Sequence, residues 1–124
     1  MPNLLLVMLG GAIGSGARHL VGRATLAWFG PDYPWGTLSV NLIGGMAMGL
    51  LVGTLSRTGG SEQVRLLLAV GVLGGFTTFS AFSLDTIVMI ERGQMLAASG
   101  YVLASVIGSI AALAVGLSLT RAAA

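Results

Sequence analysis

The sequence predicts an all-α membrane protein with four transmembrane helices. Composition, apolar windows and the placement of turn residues lead to this prediction. Of the 124 residues, 55% are hydrophobic and only 8% are charged, and the mean hydropathy is +0.93. Such a chain is too apolar and too poor in charge for a soluble domain of ordinary composition. We therefore expect residues 1–124 to form one four-span transmembrane domain.

Each predicted span is an apolar window close to the ~20 residues that a helix needs to cross a bilayer. The four windows cover residues 4–26, 36–55, 64–90 and 96–119. Turn-forming residues lie between them, namely Pro31 and Pro34, then Gly59 and Gly60, then Gly93. No Lys or Arg precedes Arg18, so we expect the N-terminal segment to be retained rather than cleaved as a secretory signal.

The arginines are divided almost evenly between the two predicted sides of the membrane. An even number of spans places both termini and the second connection on one side. The positive-inside rule then compares Arg57, Arg65 and Arg121 with Arg23 and Arg92, plus Arg18 if it reaches that interface. Without a charge bias, two opposed copies can form an antiparallel dual-topology homodimer. The alternative is one orientation that other factors fix.

Glycine recurs every four residues in three of the windows. The ridges are Gly10/Gly14, Gly45/Gly49/Gly53 and Gly71/Gly75. Small residues at this spacing let helix backbones approach closely in lipid. Four short helices leave little room for an internal pathway, so we expect an oligomer. The ridges suit such an interface, and they equally suit packing within one subunit.

A polar stretch interrupts the third window, where residues 71–83 mix glycines, hydroxyls and aromatic rings. Backbone at membrane depth must satisfy its own hydrogen bonds, so a break is tolerable only where it is buried in protein or lines a polar cavity. The Gly-Gly pair followed by Thr77 and Thr78 predicts a third helix broken near Gly74-Thr77. It also indicates an ion or substrate path.

Other polar side chains lie inside the predicted spans and are candidates for function, because an unpartnered polar group in hydrocarbon is costly. The Asn41 amide could solvate an anion or tie two helices together. Tyr101, Ser105 and Ser109 recur every four residues on one helix face. They either form a ladder of hydroxyls or bond to their own backbone.

Aromatic and charged residues also accompany the break. Phe76, Phe79 and Phe82 have the spacing of ordinary core or lipid contacts, although the electropositive edge of a phenylalanine ring can also face an anion. Arg18 and Asp85 can reach a polar vestibule, where Arg18 would attract anions.

Several classes of function are excluded or disfavoured. The chain has no Cys and a single His, which excludes disulfides, thiolate metal sites and metal sites built on several histidines. The arginines are scattered singly, whereas nucleic-acid binding needs basic clusters. No hydrolytic constellation, phosphate loop or nucleotide fingerprint is present, so we do not expect an enzyme.

Three blocks resemble the CrcB or Fluc family of fluoride channels. They are residues 10–18, residues 36–44 and residues 71–82. The third block, with the pattern Gly-Gly-x-Thr-Thr-Phe-Ser-x-Phe, is the most specific. The sequence departs from the family pattern at Ala81, where Thr is usual, and at Asp85, where Glu is common.

The resemblance implies an antiparallel dual-topology homodimer with two fluoride pores and one structural sodium ion on the two-fold axis. The backbone carbonyls of Gly74 and Thr77 would hold the sodium, and Arg18 would lie in the vestibule. The residues implied for the fluoride pore are Asn41, Phe79, Ser80, Phe82, Tyr101, Ser105 and Ser109. The implied role is export of fluoride from the cytoplasm across the cell membrane, with membrane lipid around the dimer.

Two alternatives compete with a fluoride channel. A small four-helix exporter of drugs or organic cations would need a membrane-embedded carboxylate, and the first span has no Asp or Glu before Arg18. A membrane assembly subunit without transport activity would explain the glycine ridges. It would not explain Thr77, Thr78 and Phe79.

Overall fold

The computed structural model describes residues 2–122, and every regular element among them is a helix. The elements are α1 (Asn3–Phe29), α2 (Trp35–Thr58), α3 (Glu62–Val64), a π-helix (Arg65–Leu73), α4 (Gly74–Phe76), α5 (Ser80–Glu91) and α6 (Met95–Ala122). Four stretches are long and apolar enough to cross a membrane: Asn3–Phe29, Trp35–Thr58, Glu62–Glu91 and Met95–Ala122. The prediction of four spans is confirmed.

The connections between the spans are short, and each contains a glycine with positive φ, namely Gly30, Gly59 and Gly93. Gly59 adopts the left-handed conformation (φ 68°, ψ 36°) and donates its N–H to the Leu55 carbonyl at 2.9 Å. This arrangement ends α2 because glycine carries no Cβ that would clash at this φ. Ser61 then begins the third span, and its side-chain oxygen accepts the Val64 N–H at 3.1 Å.

The first span packs against the first half of the third span with backbone in contact. A Cβ built on Gly10 would lie 2.9 Å from the Gly71 Cα, and one built on Gly75 would lie 2.7 Å from the Gly11 carbonyl oxygen. A Cβ on Gly14 would collide with the Val72 carbonyl. The π-helix lies along this contact with α1.

The second and fourth spans form the other close pair. A Cβ on Gly45 would lie 2.8 Å from the Ser109 carbonyl oxygen, and one on Gly49 would collide with the Leu113 carbonyl. On α6, a Cβ built on Gly116 would lie 2.6 Å from the Met46 carbonyl oxygen. All three predicted glycine ridges therefore pack inside one chain, and they supply no argument for an oligomer.

The third span is interrupted, and the interruption begins later than the first glycine of the predicted break. Gly74 is helical (φ −62°, ψ −39°), whereas Thr77 is extended (φ −84°, ψ 160°) and helix resumes at Ser80. Glycine permits a break without enforcing one. The break itself occupies residues 77–79.

A compact apolar cluster fixes the second half of the third span against α2 and α6. It consists of Leu38, Phe82, Met89, Ala98 and Tyr101. The rings of Phe82 and Tyr101 have centroids 5.2 Å apart. This cluster holds α5 in place after the break, so the break lies between two anchored halves of one span.

Candidate functional site

The break is closed by a side chain from another helix. Asn41 of α2 donates from Nδ2 to the Thr78 carbonyl at 2.9 Å, and its Oδ1 accepts the Thr78 N–H at 2.8 Å. One amide thus satisfies both backbone polar groups of a non-helical residue at membrane depth, where no lipid could do so. An amide nitrogen carries two N–H donors, so Asn41 keeps a second one.

The Thr78 side chain begins the helix that follows the break. Its Oγ1 accepts the Ala81 N–H at 3.1 Å, which is the bond that an N-capping threonine makes. The same oxygen lies 3.3 Å from Ser80 Oγ. Thr78 is therefore fixed through its backbone by α2 and through its side chain by α5.

Several carbonyls of the third span lose their helical donors at the break, and those of Gly74 and Thr77 are among them. In a continuous helix the N–H of Thr78 would donate to Gly74, and that of Ala81 would donate to Thr77. Both N–H groups are engaged elsewhere, by Asn41 and by Thr78 Oγ1. The carbonyls of Gly74 and Thr77 are thereby released from the helical ladder, and carbonyl oxygens are ligands that hard cations accept. Among residues 2–122, no group of three or more His, Asp or Glu could hold a metal ion.

A cavity of about 410 Å³ lies beside the break, between α2, α5 and α6. We call it the phenylalanine cavity, and the lining residues that matter here are Asn41, Thr78, Phe79, Phe82, Ser105 and Ser109. The rings of Phe79 and Phe82 are tilted by 50° with centroids 5.5 Å apart. Phe82 is buried, whereas 75% of Phe79 is exposed.

Two hydroxyls of the phenylalanine cavity have no hydrogen-bond partner. The Oγ atoms of Ser105 and Ser109 are buried and unpartnered within the described part of the chain. The prediction left open whether these serines bond to their own backbone, and in the structure neither hydroxyl does so. A buried polar group without a partner is costly, and both hydroxyls can make a further hydrogen bond.

A second cavity, of about 390 Å³, lies on the other side of the break, and we call it the arginine cavity. Its polar lining residues include Arg18, His19, Thr25, Tyr33, Thr37, Thr78 and Asp85. Arg18 Nε donates to the Gly75 carbonyl at 3.2 Å, which draws the guanidinium toward the break. Burial raises the pKa of the Tyr33 phenol above its ordinary value, so this group stays a neutral hydroxyl at physiological pH.

The position of Arg18 also simplifies the comparison of charges across the membrane. Because Arg18 bonds to the break, it does not count toward either interface. Arg57, Arg65 and Arg121 then stand against Arg23 and Arg92. The charge bias remains close to zero.

Two residues expected in the pore are not in the lining of the phenylalanine cavity. Tyr101 is fully buried, and its hydroxyl donates to Asp85 Oδ2 at 3.1 Å. It touches the cavity only through its packing on Phe82. Ser80 is exposed and adjoins Thr78 instead. The structure thus brings together five of the seven expected pore residues, namely Asn41, Phe79, Phe82, Ser105 and Ser109.

Sequence reasoning missed the role of Thr78, although a signal was available. Thr is a favoured capping residue at helix starts, and Thr78 lies two residues before α5 starts at Ser80. The pairing of Thr78 with Asn41 could not be read from the sequence, because 37 positions separate the two residues.

Comparison with known proteins places the chain among ion-channel sequences. Residues 5–117 match the family described as "CrcB-like protein, Camphor Resistance (CrcB)". A relative from Chelativorans sp. (strain BNC1) is 61% identical and one from Mesorhizobium japonicum is 58% identical, each over 98% of both chains. A relative from Sphingopyxis alaskensis is 57% identical over 98% of this chain and 97% of its own. All three are named "Fluoride-specific ion channel FluC".

Asn41→Leu should destabilise the folded protein, because it leaves the N–H and the carbonyl of Thr78 unpaired. Each buried group without a partner costs about 1–3 kcal/mol. The measurement is thermal unfolding in detergent, followed by the fluorescence of Trp28 and Trp35. Asn3→Leu is the matched control, since Asn3 is exposed at the start of α1. Equal melting temperatures for the two variants would contradict the role assigned to Asn41.

Proposed function

This chain belongs to the CrcB family, and on that premise we propose that it is a fluoride-specific ion channel, not an enzyme. It spans the membrane several times and lets fluoride leave the cytoplasm by passive conduction across the cell membrane, which confers resistance to the toxic ion. The observation that supports this best is the phenylalanine cavity, which combines unpartnered hydroxyls with an Asn amide and lacks any carboxylate in its lining.

Fluoride is small and strongly hydrated, so a selective path must replace its water with other donors. The hydroxyls of Ser105 and Ser109 and the second N–H of Asn41 are such donors. The edges of Phe79 and Phe82 add weak electropositive contacts and keep bulk water out. Several modest donors in series bind the ion well enough for it to enter and weakly enough for it to leave.

Arg18 acts before the pore, in the arginine cavity. Its charge raises the local concentration of anions, while its bond to the Gly75 carbonyl holds it at the break. Tyr101 and Ser80 do not line the path, but each contacts a residue that does. Tyr101 does so by packing on Phe82, and Ser80 by its contact with Thr78.

The functional unit that we propose is an antiparallel homodimer. Gly74, Phe79 and Ser80 are exposed on the outside of a single chain. A broken backbone cannot face lipid, because hydrocarbon offers it no hydrogen bonds. A second copy that covers this surface removes the conflict. The near balance of arginines across the membrane allows the two copies to insert in opposite directions.

A sodium ion fits the break as a structural partner of the dimer. The released carbonyls of Gly74 and Thr77 offer oxygen ligands without placing a carboxylate in the membrane. Two such carbonyls from each copy would meet on the two-fold axis. The ion would supply positive charge between the two fluoride paths and offset the repulsion between anions.

The test of the proposed function is release of fluoride from liposomes that contain the purified protein. Fluoride should appear outside within seconds, as followed by a fluoride electrode, when a potassium ionophore carries the compensating charge. Liposomes loaded with chloride should retain it. Equal release of the two anions, or no release of fluoride, would refute the proposal.

Phe82→Ile should lower the fluoride flux, because it removes a ring edge that contacts the ion. We expect a roughly tenfold decrease, which corresponds to about 1.4 kcal/mol of lost interaction. The same liposome assay measures it, and elution from a sizing column checks that the protein still assembles. Phe29→Ile is the matched control, since Phe29 is exposed at the end of α1. Wild-type flux in the Phe82 variant would remove this ring from the path.

Replacing sodium should weaken the assembly. Protein purified in N-methylglucamine, an organic cation too large for a site of four carbonyls, should lose dimer on a sizing column and lose fluoride flux. Both should return when sodium is added back. A stable, active dimer in the complete absence of sodium would contradict the proposed site at Gly74 and Thr77.

A further inference from the structure

The two cavities on either side of the break have one lining residue in common. Thr78 lines both the arginine cavity and the phenylalanine cavity, and no other lining residue belongs to both. An ion that leaves the cavity of Arg18 and enters the cavity of Ser105 therefore passes Thr78. The position alone does not say whether the side chain takes part.

The hydroxyl of Thr78 differs from its neighbours in how its hydrogen bonds are used. The hydroxyls of Thr77, Ser83 and Thr86 each donate to the carbonyl four residues earlier, at 3.0, 2.9 and 2.8 Å. Their hydrogens are thus occupied. Thr78 Oγ1 instead accepts the Ala81 N–H, so its own hydrogen remains available to a further acceptor.

The surroundings of Thr78 favour an anion as that acceptor. Its oxygen lies at the N-terminal end of α5, a helix of 12 residues, where the helix dipole is positive. Accepting the Ala81 N–H also polarises the O–H group, because hydrogen bonds in a chain strengthen one another. Ser80 Oγ, at 3.3 Å, is the nearby group that can hold the hydrogen when no ion is present.

We propose that the Thr78 hydroxyl is the donor that passes fluoride from the arginine cavity to the phenylalanine cavity. This inference rests on the proposed fluoride conduction and assigns a further specificity-determining residue to the same path. Asn41 fixes the backbone of Thr78, and the Ala81 N–H fixes its side-chain oxygen, so the hydroxyl is held in place. A small, strong acceptor such as fluoride gains more from this hydroxyl than chloride does.

The test compares three substitutions at Thr78 in the liposome assay. Thr78→Val removes the hydroxyl at nearly constant shape and should lower fluoride flux roughly tenfold or more, as expected for loss of one hydrogen bond to an ion. Thr78→Ser keeps the hydroxyl and should conduct within about twofold of wild type. Thr86→Val is the matched control, because the Thr86 hydroxyl serves its own helix.

A third variant separates conduction from helix capping. Thr78→Gly keeps a residue that is about as favourable as Thr at a helix N-cap, adds no charge to the path and has no O–H donor. It should restore the melting temperature that Thr78→Val lowers, and it should not restore the flux. Wild-type flux in the Val variant, or recovery of both stability and flux in the Gly variant, would overturn the inference. Failure of the wild-type protein to conduct would instead refute the proposed channel function.

Discussion

The pairing of Asn41 with Thr78 is the interaction on which the rest of the site depends. A span can be broken inside a membrane only if its freed backbone groups find partners in the protein. Asn41 meets that requirement for both groups of Thr78 with one amide. The bonds release the carbonyl of Gly74 from the helical ladder, and they leave Thr78 between two cavities. A continuous third helix would have neither feature.

Close packing of small residues makes this pairing possible. The Asn side chain is short, so the backbone of α2 must pass near the break. Gly44 lies three residues after Asn41, and a Cβ there would collide with the Thr77 side chain. On the other side, Gly14 lets α1 approach the residues just before the break. The glycines therefore act mainly within the chain, where they set the distance between the break and its neighbours.

Much of this arrangement could be predicted from the sequence, and the failures have physical causes. The composition predicts the four spans, and the polar stretch at residues 71–83 predicts the break in the third span. Asn41 and the serines can be identified because polar residues at membrane depth need a reason, whereas only the family resemblance assigns Phe79 to the pore. The orientation of Tyr101 could not be predicted, because the packing of the folded protein decides whether its hydroxyl faces the cavity or Asp85. The exact start of the break was missed as well, because a partner on α2 decides it rather than the glycines.

The hydrogen bond at the centre of this account can be observed directly by nuclear magnetic resonance. In isotopically labelled protein, a scalar coupling should connect the Thr78 backbone nitrogen with the Asn41 side-chain carbonyl carbon, across the bond between them. We predict that this coupling is present in the folded protein. A coupling from the Thr78 nitrogen to the Gly74 backbone carbonyl carbon instead would mean an unbroken helix, and it would contradict the account.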